Sequence, residues 1–226
     1  FVCGSFDKDF VVSKIKTDFG VDFGDRQVSE ADTRLAIREE NIQVKNVTEE
    51  MPVSQSKLAI GFNCGIKPVS EEYYALAVFS CLYGGGAISK LFNNVREKLS
   101  LAYYVFSMID RNKSCVKINA GIEASKFDEA YDEIMLQLDM MKKGEFSDEE
   151  IDAAKKTFRT QAGTVKDSLV ACEDFYLTRA LLGYEESVDE FLERIYQVSR
   201  EDIIAAANSV QLDTVYFLRG VFDGEV

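Results

Sequence analysis

Tyr83-Gly84-Gly85-Gly86-Ala87-Ile88-Ser89-Lys90-Leu91-Phe92-Asn93-Asn94-Val95-Arg96-Glu97-Lys98-Leu99-Ser100-Leu101-Ala102-Tyr103-Tyr104-Val105-Phe106 changes conformation twice in two dozen residues. The three glycines break a helix, because a residue without Cβ keeps its backbone freedom and exposes its amides to water. Ala87 to about Lys98 predicts the next helix, and Ala102 onward an aromatic-rich strand. Gly84-Gly85-Gly86 ahead of a helix offers free N–H groups, but it lacks the Gly-Lys-Ser/Thr ending of a nucleotide loop and reads as a turn between packed helices.

Upstream, Leu58, Ile60, Phe62 and Cys64 alternate with Ala59, Gly61 and Asn63, the period of a strand. Ser70 to about Tyr83 is apolar nearly all round, so that helix is expected to be buried. Downstream, Ala102–Ile109 and Cys115–Glu123 are strands joined by the polar turn 110–114, which predicts an antiparallel hairpin. Val116, Ile118, Ala120 and Ile122 share one face of it.

Helices follow. Phe127, Ala130, Tyr131, Ile134, Leu138 and Met141 form one stripe. Ser147 to Glu150 has the form of a capping box, and Ile151, Ala154, Phe158, Ala162 and Val165 continue that helix. Ser187 to Glu190 repeats the pattern, Ser199 caps a helix carrying Ile203, Ala206 and Val210, and Thr214–Leu218 is a closing strand. Segregated strands and helices predict an α+β fold, a mainly antiparallel sheet with helices packed on one face.

The amino-terminal part reads differently. Residues 1–6 look like a strand and Asp7 to Asp18 a helix with apolar Phe10, Val11, Ile15 and Phe19, the pattern of a longer polypeptide's interior. Residues 20–41 are polar and aperiodic, and 41–47 predict a short strand. The expected organisation is 1–20 as the end of a preceding domain, 21–55 as linker and first strand, and 56–226 as the main domain.

Composition narrows the chemistry. Lys and Arg number 26 against 39 Asp and Glu, a net charge of −13, which repels phosphate backbones and anionic headgroups. Nucleic acid and membrane surfaces are therefore poor partners; the charge could attract basic peptides, but it reads first as a device that keeps the protein in solution. No apolar run reaches the roughly 20 residues of a bilayer-spanning helix. The five cysteines are odd in number and form no Cys-x-x-Cys, so reduced thiols and a cytoplasmic location are expected.

The chain has no histidine. Ser-His-Asp, Cys-His and His-ligated metal mechanisms are therefore unavailable to it alone. Acidic runs such as Asp148-Glu149-Glu150 read as helix N-terminal charges, not as metal ligands.

The stretch quoted above resembles the C-terminal half of insulinase/pitrilysin-family zinc peptidases, mitochondrial processing peptidase included. There a Gly-rich turn leads to Ser-x-Leu-Phe, then Val-Arg-Glu-Lys, then Leu-Ala/Gly-Tyr and a strand. The pattern of elements from about Lys57 to Gly220 agrees, so the resemblance covers roughly three quarters of the chain. Leu99-Ser100 departs from the Arg/Glu-Gly common at that point.

The resemblance implies the metallohydrolase half-domain of the LuxS/processing-peptidase type, one of two similar halves closing around a chamber. Zinc belongs to the other half, on an inverted His-x-x-Glu-His motif, and no cofactor is expected in this chain. It implies roles for Arg96 and Tyr103 as auxiliary donors to the substrate carbonyl and the oxyanion. The implied partners are a zinc-bearing N-terminal half or subunit, in a homo- or heterodimer, and a peptide substrate. Two alternatives remain open: a catalytically inactive scaffold or regulatory subunit of the same fold, and an independent enzyme with a carboxylate-bound metal.

Overall fold

Leu58, Ile60 and Phe62 of β2 (Ser56–Asn63) are buried while their neighbours are not, and this one-sided strand forms the middle of the architecture. The computed structural model describes residues 2–19, 43–67 and 69–221. The five strands lie in the order β1 (Lys45–Met51), β5 (Gln211–Gly220), β2, β4 (Cys115–Ile122), β3 (Ala102–Asp110). β2 is antiparallel to both β4 and β5, and β3 to β4, while β1 runs parallel to β5. The expected mainly antiparallel sheet and α+β class are found.

Register explains the core. Leu58 pairs with Ala120 and Phe217, and Ile60 with Ile118 and Val215, so one face of three strands is continuous and apolar. That face receives α2 (Glu72–Gly84), α3 (Phe127–Lys143) and α7 (Arg200–Ser209), which share one hydrophobic cluster with it. Each such side chain contributes about 1.5–3 kcal/mol by leaving water. Helix α2 is buried from Tyr74 to Gly84, as its all-round apolarity requires. Its Tyr83, fully buried, donates its hydroxyl to the Ile134 carbonyl at 2.8 Å.

Helices α4 (Asp148–Asp167), α5 (Leu169–Leu181) and α6 (Val188–Gln197) complete the layer. Capping boxes start α4 at Ser147 with Glu150, α6 at Ser187 with Glu190, and α7 at Ser199 with Asp202. Such caps contribute about 1 kcal/mol apiece by satisfying amides that a helix start leaves free.

Several expectations change. Residues 2–6 are not a strand, because an extended segment needs a neighbour and finds none among the described residues. Helix α1 (Lys8–Asp18) does form, with Asp7 accepting from the Phe10 amide at 2.7 Å, yet it buries no residue. Of the strand expected at 41–47, residues 41–42 lie outside the described residues, and the strand itself begins at Lys45 and runs on to Met51. Residues 20–42, including the expected linker 20–41, lie outside the described residues. The closing strand is longer than 214–218 because it pairs on both sides, with β1 and β2.

The expected helix Ala87–Lys98 also differs. Residues 87–89 are turn, and the segment widens into a π-helix over Phe92–Lys98. Gly84 brings it close to the sheet: a Cβ there would lie 2.5 Å from the Ser107 amide nitrogen and 2.7 Å from the Ser107 Cβ. Only hydrogen at that position lets α2 end against β3.

Candidate functional site

Ser89 starts the segment after the glycine turn. Fully buried, its hydroxyl donates to the Gly86 carbonyl at 2.7 Å and accepts from the Phe92 amide at 3.3 Å. Leu91 and Val95 are fully buried, while exposed residues beside them face outward. Arg96 is one of them. Its side chain is 42% exposed, its Nε lies 3.7 Å from Glu97 Oε1, and its guanidinium stands 4.8 Å from the Phe92 ring centroid.

The segment then turns into β3 through two departures from regular backbone. Ser100 takes φ 51°, the left-handed region that side-chain-bearing residues disfavour. That is the position where the family pattern commonly has glycine. At Tyr103 the β3–β4 register slips: Ala102 pairs with Ile122 and Tyr104 with Gly121, so Tyr103 is the extra residue of a bulge. A bulge re-aims a side chain out of the pleat. Tyr103 is 57% exposed, and its hydroxyl donates to Glu123 Oε1 at 3.3 Å.

Arg96 and Tyr103, singled out from the sequence, thus line one open depression of about 390 Å³, with Glu97, Ser100, Leu101, Ala102, Glu123 and Lys126 around it. The sequence reading missed Glu123 and Lys126, which lie just after the far strand of the hairpin, Lys126 in a short 3-10 turn. Among the described residues, the polar partner of each donor is a solvent-exposed carboxylate, and Arg96 also stands over the Phe92 ring. Exposed pairs of this kind contribute roughly 0–1 kcal/mol, so both donors can be redirected cheaply to an acceptor entering the depression.

The site rests on a polar anchor that was also missed. Gln137 of α3 is 3% exposed, and its Oε1 accepts from Asn94 Nδ2 at 3.0 Å. A signal existed: Gln137 interrupts the apolar stripe between Ile134 and Met141, and a polar side chain on a core face needs a partner. Lys90, 13% exposed, reaches Glu150 Oε1 at 2.8 Å and ties the segment to α4.

Comparison with known proteins places this geometry. The profile of the family described as "Peptidase M16 inactive domain" matches residues 1–158. This chain belongs to that family. A "Probable inactive metalloprotease YmfF" of Bacillus subtilis is 38% identical over 220 residues, covering 97% of this chain and 51% of that protein. An "Uncharacterized zinc protease" of Streptomyces coelicolor, SCO5738, is 30% identical over 151 residues, covering 65% of this chain and 32% of that protein.

Among solved structures, a conserved protein from Enterococcus faecalis V583 superimposes with a TM-score of 0.84 at 27% identity, over 97% of this chain and 51% of that one. A peptidase M16 inactive domain from Pseudomonas fluorescens has the same fold, with a TM-score of 0.66 at 20% identity over 81% of this chain and 45% of that one. The chain therefore spans about half the length of relatives it matches along nearly all of its own.

Membership in the M16 inactive-domain family agrees with the resemblance carried by Gly84 to Phe106. The described residues offer no site that fits zinc. There is no histidine, and among the described residues no group of three or more Cys, Asp or Glu is set to hold a metal ion. No helix among the described residues is long and apolar enough to cross a membrane.

Proposed function

We propose that this chain is the zinc-less C-terminal half of an M16-type peptidase or of its partner subunit, walling half of a peptide-degrading chamber in the cytoplasm. A zinc-bearing half, in the same polypeptide or in a homo- or heterodimer, supplies the activated water. Arg96 and Tyr103 reach across to hydrogen-bond the substrate carbonyl and the oxyanion that develops on attack. The observation that carries this reading is their convergence on one open depression, each with an exposed carboxylate as its polar partner among the described residues. Donors fixed where charge develops contribute about 2.7–4 kcal/mol in comparable sites. The planar, permanently charged guanidinium of Arg96 suits that role better than a lysine.

Helix α1 supports the two-half arrangement. It buries nothing and leaves Phe10 67% and Phe19 71% exposed, as expected of the end of a preceding domain whose apolar face packs elsewhere. The test uses the full-length protein, or this chain joined to its zinc-bearing half, with an unstructured fluorogenic peptide. Arg96→Ala and Tyr103→Phe should each lower turnover about 10²–10³-fold. Unchanged turnover in both variants refutes the proposed roles.

A second reading is an inactive binding or scaffold protein, favoured by the name of the Bacillus relative, a probable inactive metalloprotease. Zinc analysis of the full-length protein together with any subunit that co-purifies with it separates the two: stoichiometric metal in the assembly supports the peptidase half, and an assembly without metal that still binds peptide supports the scaffold.

A further inference from the structure

The helical segment that carries Arg96 is wound too loosely to be an α-helix. Its first bond is ordinary, from the Asn93 amide to the Ser89 carbonyl at 3.0 Å. The Leu99 amide then reaches back five residues, to the Asn94 carbonyl at 3.1 Å, and the Leu101 amide six, to Val95 at 2.8 Å. A π turn has poorer packing along its axis than an α turn and persists where something outside the helix holds it.

Asn94 is placed to do that. Its carbonyl closes the wide turn, while its side-chain Nδ2 donates to the Lys90 carbonyl at 3.0 Å and to Gln137 Oε1 at 3.0 Å. Gln137 is buried and oriented, because its Nε2 donates to Glu133 Oε1 at 2.8 Å and so turns the oxygen toward Asn94. Lys90, whose carbonyl Asn94 holds, is itself gripped by Glu150. One asparagine thus joins both ends of the turn to α3 and, through Lys90, to α4.

We infer that Asn94 and Gln137 are a positioning pair that holds the π turn open and thereby aims Arg96 into the depression it shares with Tyr103. This rests on the reading of Arg96 as a substrate contact. Without the Asn94 side chain, the Leu99 amide can bond four residues back in the ordinary α pattern. The segment then winds tighter by up to one residue, about 100° of helical rotation, and carries the guanidinium away from Tyr103. Displacements of about 1 Å at a reacting centre already cost on the order of a hundredfold in rate.

A double-mutant cycle in the assembled protein, read on an unstructured fluorogenic peptide, tests the inference. Asn94→Ala and Gln137→Met should each lower turnover about ten- to a hundredfold. Combining Asn94→Ala with Arg96→Ala should be no worse than Arg96→Ala alone. Hydrogen exchange at the Leu99 and Leu101 amides should quicken in both positioning variants while exchange along α3 stays slow. Where the assembly binds peptide without cleaving it, the same cycle is read on the peptide Kd.

Additive losses, or a silent Asn94→Ala beside a damaging Arg96→Ala, overturn the positioning role and leave the proposed function standing. A silent Arg96→Ala overturns the positioning role together with the role proposed for Arg96.

Discussion

The two ends of α2 handle polar side chains in opposite ways. Near its amino-terminal end, Tyr74 joins a closed cluster. Glu186, 6% exposed, accepts from the Tyr74 hydroxyl and from Arg179 Nε and Nη2, both at 2.9 Å. Arg179 also donates to the Phe175 carbonyl at 3.0 Å, and Arg194 donates to the Tyr74 hydroxyl at 3.2 Å. At its carboxyl-terminal end, about 15 Å along the axis, Gly84 releases the chain into the Arg96–Tyr103 rim. There an arginine and a tyrosine again face carboxylates, but loosely and in water. The same three residue types are structural where burial forces every donor onto an acceptor, and available where it does not.

Glu186→Ala should break the closed end most severely. It leaves the Arg179 guanidinium, 6% exposed, without its counter-charge, a loss of about 3–5 kcal/mol. Urea unfolding would show it as a lowered midpoint. A loss under about 1 kcal/mol would mean that water reaches the cluster and that the contrast between the two ends is weaker than drawn.

Gly84→Ala comes next. The added methyl meets the Ser107 backbone, so α2 must lift from β3 at a cost of about 1–3 kcal/mol. Because the rim begins here, this variant should also perturb hydrogen exchange from Ser89 to Leu101. Ser100→Gly acts in the other direction. It relieves the left-handed strain but loosens the unfolded chain, for a net gain of about 0.5–1 kcal/mol in the unfolding midpoint.

Alkaline pH gives a further contrast. Burial, and then the hydrogen bond to Glu186, hold the Tyr74 hydroxyl well above an ordinary phenol. A group whose folded pKa is raised keeps its proton in the folded chain after the unfolded chain has lost it. Its contribution is therefore complete below about pH 10 and declines as pH rises beyond. Urea midpoints taken above pH 10 should fall less steeply in Tyr74→Phe than in the parent. Tyr83, also raised by burial, keeps part of the slope in both.

Much of this fold was legible because its cues are local. The alternation in β2 and β4, the apolar stripe of α3 and the capping serines each need only a few adjacent residues to be read. Long-range and irregular features were not. β1 is exposed at every position, so it carries no alternation, and its parallel pairing with β5 depends on a partner some 170 residues away. Leu91 and Val95, spaced four apart, look α-helical, and the π turn that follows depends on Gln137 from another helix. Arg179 and Glu186 read as surface charges until the fold encloses them. Arg96 and Tyr103 were carried by the motif from Gly84 to Phe106. Periodicity assigns neither of them a role, and the bulge that turns Tyr103 outward becomes visible only when β3 is laid beside β4.

The most direct test measures stability and turnover together for Arg96→Ala and Tyr103→Phe in the assembly with the zinc-bearing half. Both residues are exposed and loosely paired, so urea midpoints should shift by no more than about 0.5 kcal/mol, while turnover of an unstructured peptide falls about 10²–10³-fold. Turnover that stays at the parent level, or that falls only in step with the unfolding midpoint, would contradict the account.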